Sequence, residues 1–340
     1  MTTTYAVGPV QPFPVGPTFG IKVPKGFTVE GFADDKHPFI PPKKPYVFRK
    51  DQLRDVLAFL ERPRGDGLYI VGPTGAGKSS IMRQTAARLN WPVQEVNCHR
   101  RLELTDLIGQ FKLVNGSMQF MYGPAAIAIQ DGHILILNEV DFNEPGEIAG
   151  LNAVLDGAPL VIAENGGEVI RPHPKFRLVV TGNSAGQGDQ SGLYQGILQQ
   201  NVAFLDRFRF METGYMEDDE ETQLLGTLIP DLPEEIRKRM VKVANEVRRL
   251  FVGDDKNPGT ISTPISTRGV QRWAYLALDF KSAPNALEYA LERTVLLRAS
   301  PEEREALVRI AKDVFGEMWG VLNEAPKPEA DPKTSAAQAA

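Results

Sequence analysis

Residues 67–89, "GLYIVGPTGAGKSSIMRQTAARL", decide the fold. An apolar run of strand character, "GLYIVG", stops on glycine, and a helical pattern begins at Lys78. Between them Gly72, four residues, then Gly77, Lys78 and Ser79 spell the G-x-x-x-x-G-K-S/T signature of a phosphate loop. The chemistry calls for these residue types. Glycines let successive backbone N–H groups curl around a β-phosphate, and the helix behind them offers its positive end. Lys78 is placed to neutralise β/γ oxygens and Ser79 to ligate magnesium. The expected nucleotide-binding stretch is therefore Gly72, Pro73, Thr74, Gly75, Ala76, Gly77, Lys78, Ser79 and Ser80, with ATP and Mg2+ as cofactors. A loop that merely turns a strand into a helix is the plain alternative, and the strand before and helix after it count against that.

Outward from this stretch, further strand-like runs, "PVQEVN", "HILILNEV", "FRLVVTGN" and "RFRFMETGY", are separated by segments long enough for crossovers. The alternation predicts a three-layer α/β domain with a parallel sheet over about residues 49–212. It opens with a helix, since "FRKDQLRDVLAFLERP" carries Leu53, Val56, Leu57 and Leu60 at helical spacing and Pro63 stops it. Strand signals disappear from Glu217, and residues 213–323 read as a helical second unit. Residues 1–48, rich in Pro and Gly without a sustained period, read as an irregular extension on the body or on a neighbour. Residues 324–340 form a polar tail expected to be disordered.

Composition narrows the function classes. With 42% hydrophobic residues in 340, the chain can bury a substantial core. No run approaches the roughly 18 uncharged apolar residues that cross a bilayer. The N-terminus has no basic region followed by an apolar one, so a cytoplasmic location is expected without a membrane role. The single cysteine, Cys98, excludes an intrachain disulfide and a multi-cysteine metal site. A net charge of -5 gives no general attraction to nucleic acid. His99, His133 and His173 follow no metal-ligand spacing and read as structural.

About sixty residues after Lys78, "HILILNEV" supplies a buried strand whose C-terminal edge is expected beside the phosphate loop, placing Asn138 and Glu139 at the nucleotide. In phosphate-loop ATPases an acid at the first position steadies magnesium and its waters, and the second polarises the attacking water. Glu139 supplies the base. Asn138 keeps an oxygen able to accept from a magnesium-bound water but lacks the charge, so weaker metal affinity and slower turnover are expected. Asp141 is the residue considered to compensate in part. At the end of the next strand, Asn183 is placed to contact a γ-phosphate or the lytic water.

Two hairpins interrupt this core. "FKLV" and "MQFM" flank Asn115-Gly116, and "PLVIAENGGEVIRP" turns at Asn165, Gly166 and Gly167. Neither tip carries the Lys or Arg that phosphate tracking wants, which favours a protein client in a shared central pore over DNA. Arg207 at a helix-to-strand junction and Arg268 at the start of a helix each carry a planar fork able to clamp a γ-phosphate. Taken singly, each is more often an ion-pairing surface residue.

With these residues placed, the chain resembles the AAA+ ATPases of the MoxR group, and within it the CobS-type cobaltochelatase ATPase subunits. The resemblance covers about residues 19–320 and is carried by "GPTGAGKSS", "ARLNWP", "TDLIG", "VIRPHPKFRLVVTGNSAGQGDQSGLYQG" and "LDRF". It implies roles by position: Asn183 as first sensor, Arg207 as the finger reaching into a neighbour's nucleotide, and Arg268 as second sensor on the lid. It implies a homo-oligomeric ring, usually hexameric, with ATP at each interface. It also implies chaperone-like work on a partner with a von Willebrand A domain. Departures at Asn138, where Asp is usual, and in the N-terminus leave the hydrolysis rate and partner open. The competing readings are an ATP-gated assembly scaffold that scarcely hydrolyses, and, ranked last, a nucleic-acid translocase.

Overall fold

The computed structural model describes residues 5–189, 196–253, 259–320 and 322. The expected tail, residues 324–340, and part of the "GQGDQSGLYQG" motif lie outside them. The chain divides into two compact units, Met1–Tyr215 and Met216–Ala340.

The N-terminal segment departs from the irregular extension expected. Strands β1 (Val10–Pro14) and β2 (Thr28–Phe32) pair antiparallel, joined through a short helix, Val15–Phe19. Val15, Phe19, Val29 and Phe32 are buried in the same apolar cluster as Leu89 and Trp91. At about 1.5–3 kcal/mol per buried side chain, these four make the segment part of the body. Pro12 and Pro14 hide it in the sequence, because proline spoils the strand signature yet is tolerated in a strand at a sheet edge.

The five expected strands form: β3 (Gly67–Val71), β4 (Val93–Asn97), β7 (Ile134–Asn138), β10 (Arg177–Gly182) and β11 (Phe208–Glu212). Their order is β11-β3-β10-β7-β4, all parallel. Between them the chain adds hairpin β5 (Gly109–Val114) with β6 (Ser117–Tyr122), and hairpin β8 (Leu160–Ile162) with β9 (Glu168–Ile170). Asn115 and Gly116 turn the first in left-handed backbone, as do Gly166 and Gly167 in the second.

Alternation along the strands builds two cores. Leu68, Ile70, Ile134, Ile136 and Val179 face the helices Lys50–Glu61 and Lys78–Arg88, where Leu53, Val56, Leu60, Ile81 and Met82 meet them. Tyr69, Leu135, Leu137, Leu178 and Val180 face the other way, toward Ala125 and Ile129 of the helix Pro124–Asp131. Burial on both faces explains why these strands read as unbroken apolar runs. Chain order places β4 at one edge and returns through β7 and β10 to β3, so the C-terminal ends of four strands open beside the phosphate loop.

The second unit is helical. Helices Asp218–Leu228, Glu234–Val252, Thr267–Asp279, Ala286–Thr294 and Pro301–Phe315 enclose a core that includes Met240, Val247, Trp273, Leu287, Leu291 and Phe315. Inside it Arg248 and Glu221, both buried, pair at 2.6 Å. Arg248 also donates to the Ile265 carbonyl, so the buried guanidinium is amply partnered.

Candidate functional site

The loop after β3 needs its glycines. Gly72, Gly75 and Gly77 have φ of 157°, 75° and 91°, all in the region that L side chains rarely adopt. A Cβ on Gly72 would lie 1.9 Å from the Thr213 carbonyl oxygen, because the chain leaving β11 crosses directly over the loop. Gly77 is the cap from which the helix Lys78–Arg88 springs, aiming its unpaired N–H groups at the loop. The Tyr215 hydroxyl donates to the Thr74 carbonyl at 3.0 Å, tying the loop to the same crossing segment.

Lys78 is buried. Its ammonium donates to the carbonyls of Gly72 (2.8 Å) and Pro73 (3.1 Å) and to Asn183 Oδ1 (2.8 Å). Burial pushes it down from 10.5 to about 8, opposed by the charges of Asp141 and Glu139. Its contact with Asn183 joins the ends of β3 and β10 in one cluster.

On the other side of the loop the Ser79 hydroxyl donates to Asn138 Oδ1. Asn138 Nδ2 donates to Glu95 Oε1 at 2.5 Å and to Asn97 Oδ1 at 3.1 Å. Register accounts for this meeting, since Glu95 and Asn97 on β4 stand opposite Ile136 and Asn138 on β7, and partners across a parallel pair face one way. Glu139 leaves the strand in left-handed backbone, φ 56°, and its side chain is exposed while its N–H donates to the Thr181 hydroxyl. A 3-10 turn, Val140–Phe142, follows.

Asp141 does not take the place considered for it. Fully buried, its Oδ2 accepts from the backbone N–H of Asn183 (2.7 Å) and Ser184 (3.3 Å). It fixes the Asn183 loop and leaves Asn138 to others. Burial raises its carboxyl above the usual range, while the Asn183 N–H and then the Ser184 N–H oppose that.

The structure thus brings together Lys78, Ser79, Asn138, Glu139 and Asn183. Arg207 stands apart. It precedes β11, its carbonyl accepts from Gly67 N at the start of β3, and β3 must run its five residues before the phosphate loop begins. At about 3.3 Å per residue that separation is roughly 16 Å, beyond the reach of one arginine. Its guanidinium instead forks onto Asp156, Nε to Oδ1 at 2.9 Å and Nη2 to Oδ2 at 2.7 Å. That hydrogen bond holds the Asp156 carboxyl below its ordinary range. Arg268 lies exposed in the first turn of Thr267–Asp279, in the second unit.

Sequence reading missed Glu95, Asn97 and Thr181. All three sit near the C-terminal ends of strands that flank the motif strand, a placement that strand order and register give and local sequence does not. His133 is buried between Gln94 and the Tyr5 carbonyl. Among the described residues no group of three or more His, Cys, Asp or Glu is arranged to hold a metal. No helix among them is long and apolar enough to cross a membrane.

The two hairpins meet, with the Tyr122 hydroxyl 2.8 Å from the Glu168 carboxylate. One face of the first presents Phe111, Leu113 and Met118, which are 45%, 72% and 63% exposed. These side chains form an exposed apolar patch near the hairpin turn.

Comparison with known proteins bears on the family. Residues 67–199 match the AAA domain of the dynein-related subfamily, and residues 221–314 match the CbbQ/NirQ/NorQ C-terminal domain. The aerobic cobaltochelatase subunit CobS of Sinorhizobium is 31% identical over 288 residues, covering 82% of this chain and 83% of that protein. Protein NorQ of Paracoccus denitrificans is 29% identical over 265 residues, covering 77% and 92%. With its sheet order, phosphate loop and helical C-terminal unit, the chain belongs to the MoxR-type AAA+ ATPases, the family that includes CobS and NorQ.

Proposed function

We propose that this chain binds and hydrolyses ATP in a homo-oligomeric ring, most simply a hexamer, and uses the cycle to remodel a protein complex. The single observation that carries the reading is the pairing of a complete phosphate site at one end of the sheet with Arg207 at the other. An arginine that cannot reach its own loop, and that ends a helix-to-strand junction on the surface, is placed to serve a neighbour's nucleotide.

Within one site the residues divide the work. The loop N–H groups and Lys78 hold the β- and γ-phosphates, and Lys78 exchanges its carbonyl partners for phosphate oxygens. Asn183, anchored by Asp141, lies beside Lys78 and senses the terminal phosphate. Exposed Glu139 is the base that takes a proton from the attacking water. Arg207 from the next protomer stabilises charge on the transferring group, and Arg268 of the helical unit is the proposed second sensor. Adjacent hydroxyl and carbonyl oxygens of Ser79 and Asn138 suit a hard divalent cation, so these residues would hold Mg2+, which neutralises phosphate charge when bound.

The client side rests on the hairpins. The exposed apolar face of Phe111, Leu113 and Met118, with a tip that carries no Lys or Arg, favours a protein client over phosphate tracking. A partner carrying a von Willebrand A domain, in a chelatase-type or other assembly, is the proposed client class, and the cytoplasm the proposed setting. Asn138 is the observation that favours a scaffold instead. Phosphate release by purified protein with magnesium and ATP decides between them. The motor reading requires turnover that disappears in Glu139→Gln, whereas no turnover in the parent protein refutes it and steeply salt-dependent DNA binding would revive a translocase.

A further inference from the structure

Asn138 stands where a carboxylate is expected, yet the missing charge is close at hand. The Asn138 amide has one satisfactory orientation. Glu95 is an acceptor only, so it must face the NH2 group, at 2.5 Å, which turns the carbonyl oxygen toward the Ser79 hydroxyl and, at 3.4 Å, the Thr181 hydroxyl. Ser79, Asn138 and Glu95 form one continuous hydrogen-bonded chain that begins at the phosphate loop and ends on a negative charge. Arg83, from the phosphate-loop helix, reaches the same Glu95 oxygen at 3.5 Å and steadies it.

We propose that Glu95 is the positioning residue that supplies, through the Asn138 amide, the negative charge this site lacks for the divalent cation accompanying the nucleotide. The proposal rests on the nucleotide-site reading above. A carboxylate hydrogen-bonded to the N–H of an amide draws electron density onto the amide oxygen, so Asn138 presents a better acceptor to a cation or its waters than an isolated asparagine. The same arrangement explains why aspartate need not occur at 138. A carboxylate there would face Glu95 at hydrogen-bonding distance, two like charges without a proton between them.

The consequence is a polarity swap. In Glu95→Gln combined with Asn138→Asp, the new amide donates to the new carboxylate, restoring both the hydrogen bond and the single negative charge with donor and acceptor exchanged.

The test measures the affinity of the full chain for a fluorescent ATP analogue across a magnesium titration and, separately, in EDTA. For Glu95→Gln the expected result is a magnesium requirement raised about 10- to 100-fold, the usual cost of losing a residue that orients a metal ligand, with binding in EDTA unchanged within about twofold. The double variant regains the parent requirement, and a loss confined to magnesium with binding in EDTA unchanged is what a merely structural role for Glu95 would not produce. Three outcomes overturn the proposal: a single variant with the parent's magnesium requirement, an equal loss of affinity with and without magnesium, or a double variant no better than the single one. If the parent chain itself fails to bind the analogue with magnesium present, the nucleotide-site reading falls and this proposal with it.

Discussion

Mixing two inactive variants gives a quantitative test of where Arg207 acts. Glu139→Gln keeps the phosphate loop and Arg207 but lacks the base, and Arg207→Ala keeps the base but lacks the finger. Removal of a finger costs about 10³-fold or more in turnover, so either protein alone is expected to be silent. The sheet geometry dictates what a mixture does. Arg207 sits roughly 16 Å of strand away from its own loop, so in the proposed ring each site would draw its base from one chain and its arginine from the next. In rings assembled at random from equal amounts, about half the sites have Glu139 and about half of those face an intact Arg207. Roughly one quarter of parental phosphate release per site is therefore expected, independent of ring size, if sites fire independently. The assay is steady-state phosphate release against mixing ratio, which rises from zero at either end to a maximum at equal amounts. A mixture as silent as its components, under conditions where the chains exchange, refutes action in trans.

Two further perturbations follow from buried contacts. His133 accepts from Gln94 on one ring nitrogen and donates to the Tyr5 carbonyl with the other, which suits the neutral ring. Burial lowers it from 6.5 to about 4, with the Tyr5 bond opposing and His37 and His173 adding to the depression. The unfolded chain therefore binds the extra proton between pH 6.5 and 4, and stability is present above that window and lost as pH falls through it. At pH 5 the loss is about 2 kcal/mol relative to pH 7, roughly 4–8 °C in Tm for a unit of this size. A His133→Gln variant that loses as much over the same interval contradicts this. Gly72→Ala is expected to cost about 2 kcal/mol or more and to abolish nucleotide binding, because its Cβ would lie 1.9 Å from the Thr213 carbonyl and its φ is 157°. Calorimetry and ligand titration check it, and a variant of parental stability and affinity would show that the crossing segment moves freely.

Most of the framework was legible in the chain because it depends on local signals. Five apolar runs, the spacing from Gly72 to Ser79 and the Asn-Gly turn each announce an element without reference to distant residues. What stayed hidden depends on register and on backbone turns. Nothing near Glu95 says that β4 lies beside β7 with Asn97 opposite Asn138. Whether Asp141 faces Asn138 could not be read from alternation, which stops at Glu139, where a left-handed residue and a 3-10 turn redirect the following side chains toward β10. The N-terminal hairpin escaped because its stability comes from burial against Leu89 and Trp91 and its strand sequence carries two prolines.

The account stands on a triphosphate shared between Lys78 of one chain and Arg207 of another. The most direct measurement is the position of the Arg207 guanidinium in an assembly solved with a non-hydrolysable ATP analogue. It is expected to have left Asp156 and to donate to the γ-phosphate held by the adjacent protomer, at about 2.8 Å. A guanidinium still forked onto Asp156 of its own chain, with solvent between it and every phosphate, would contradict the account.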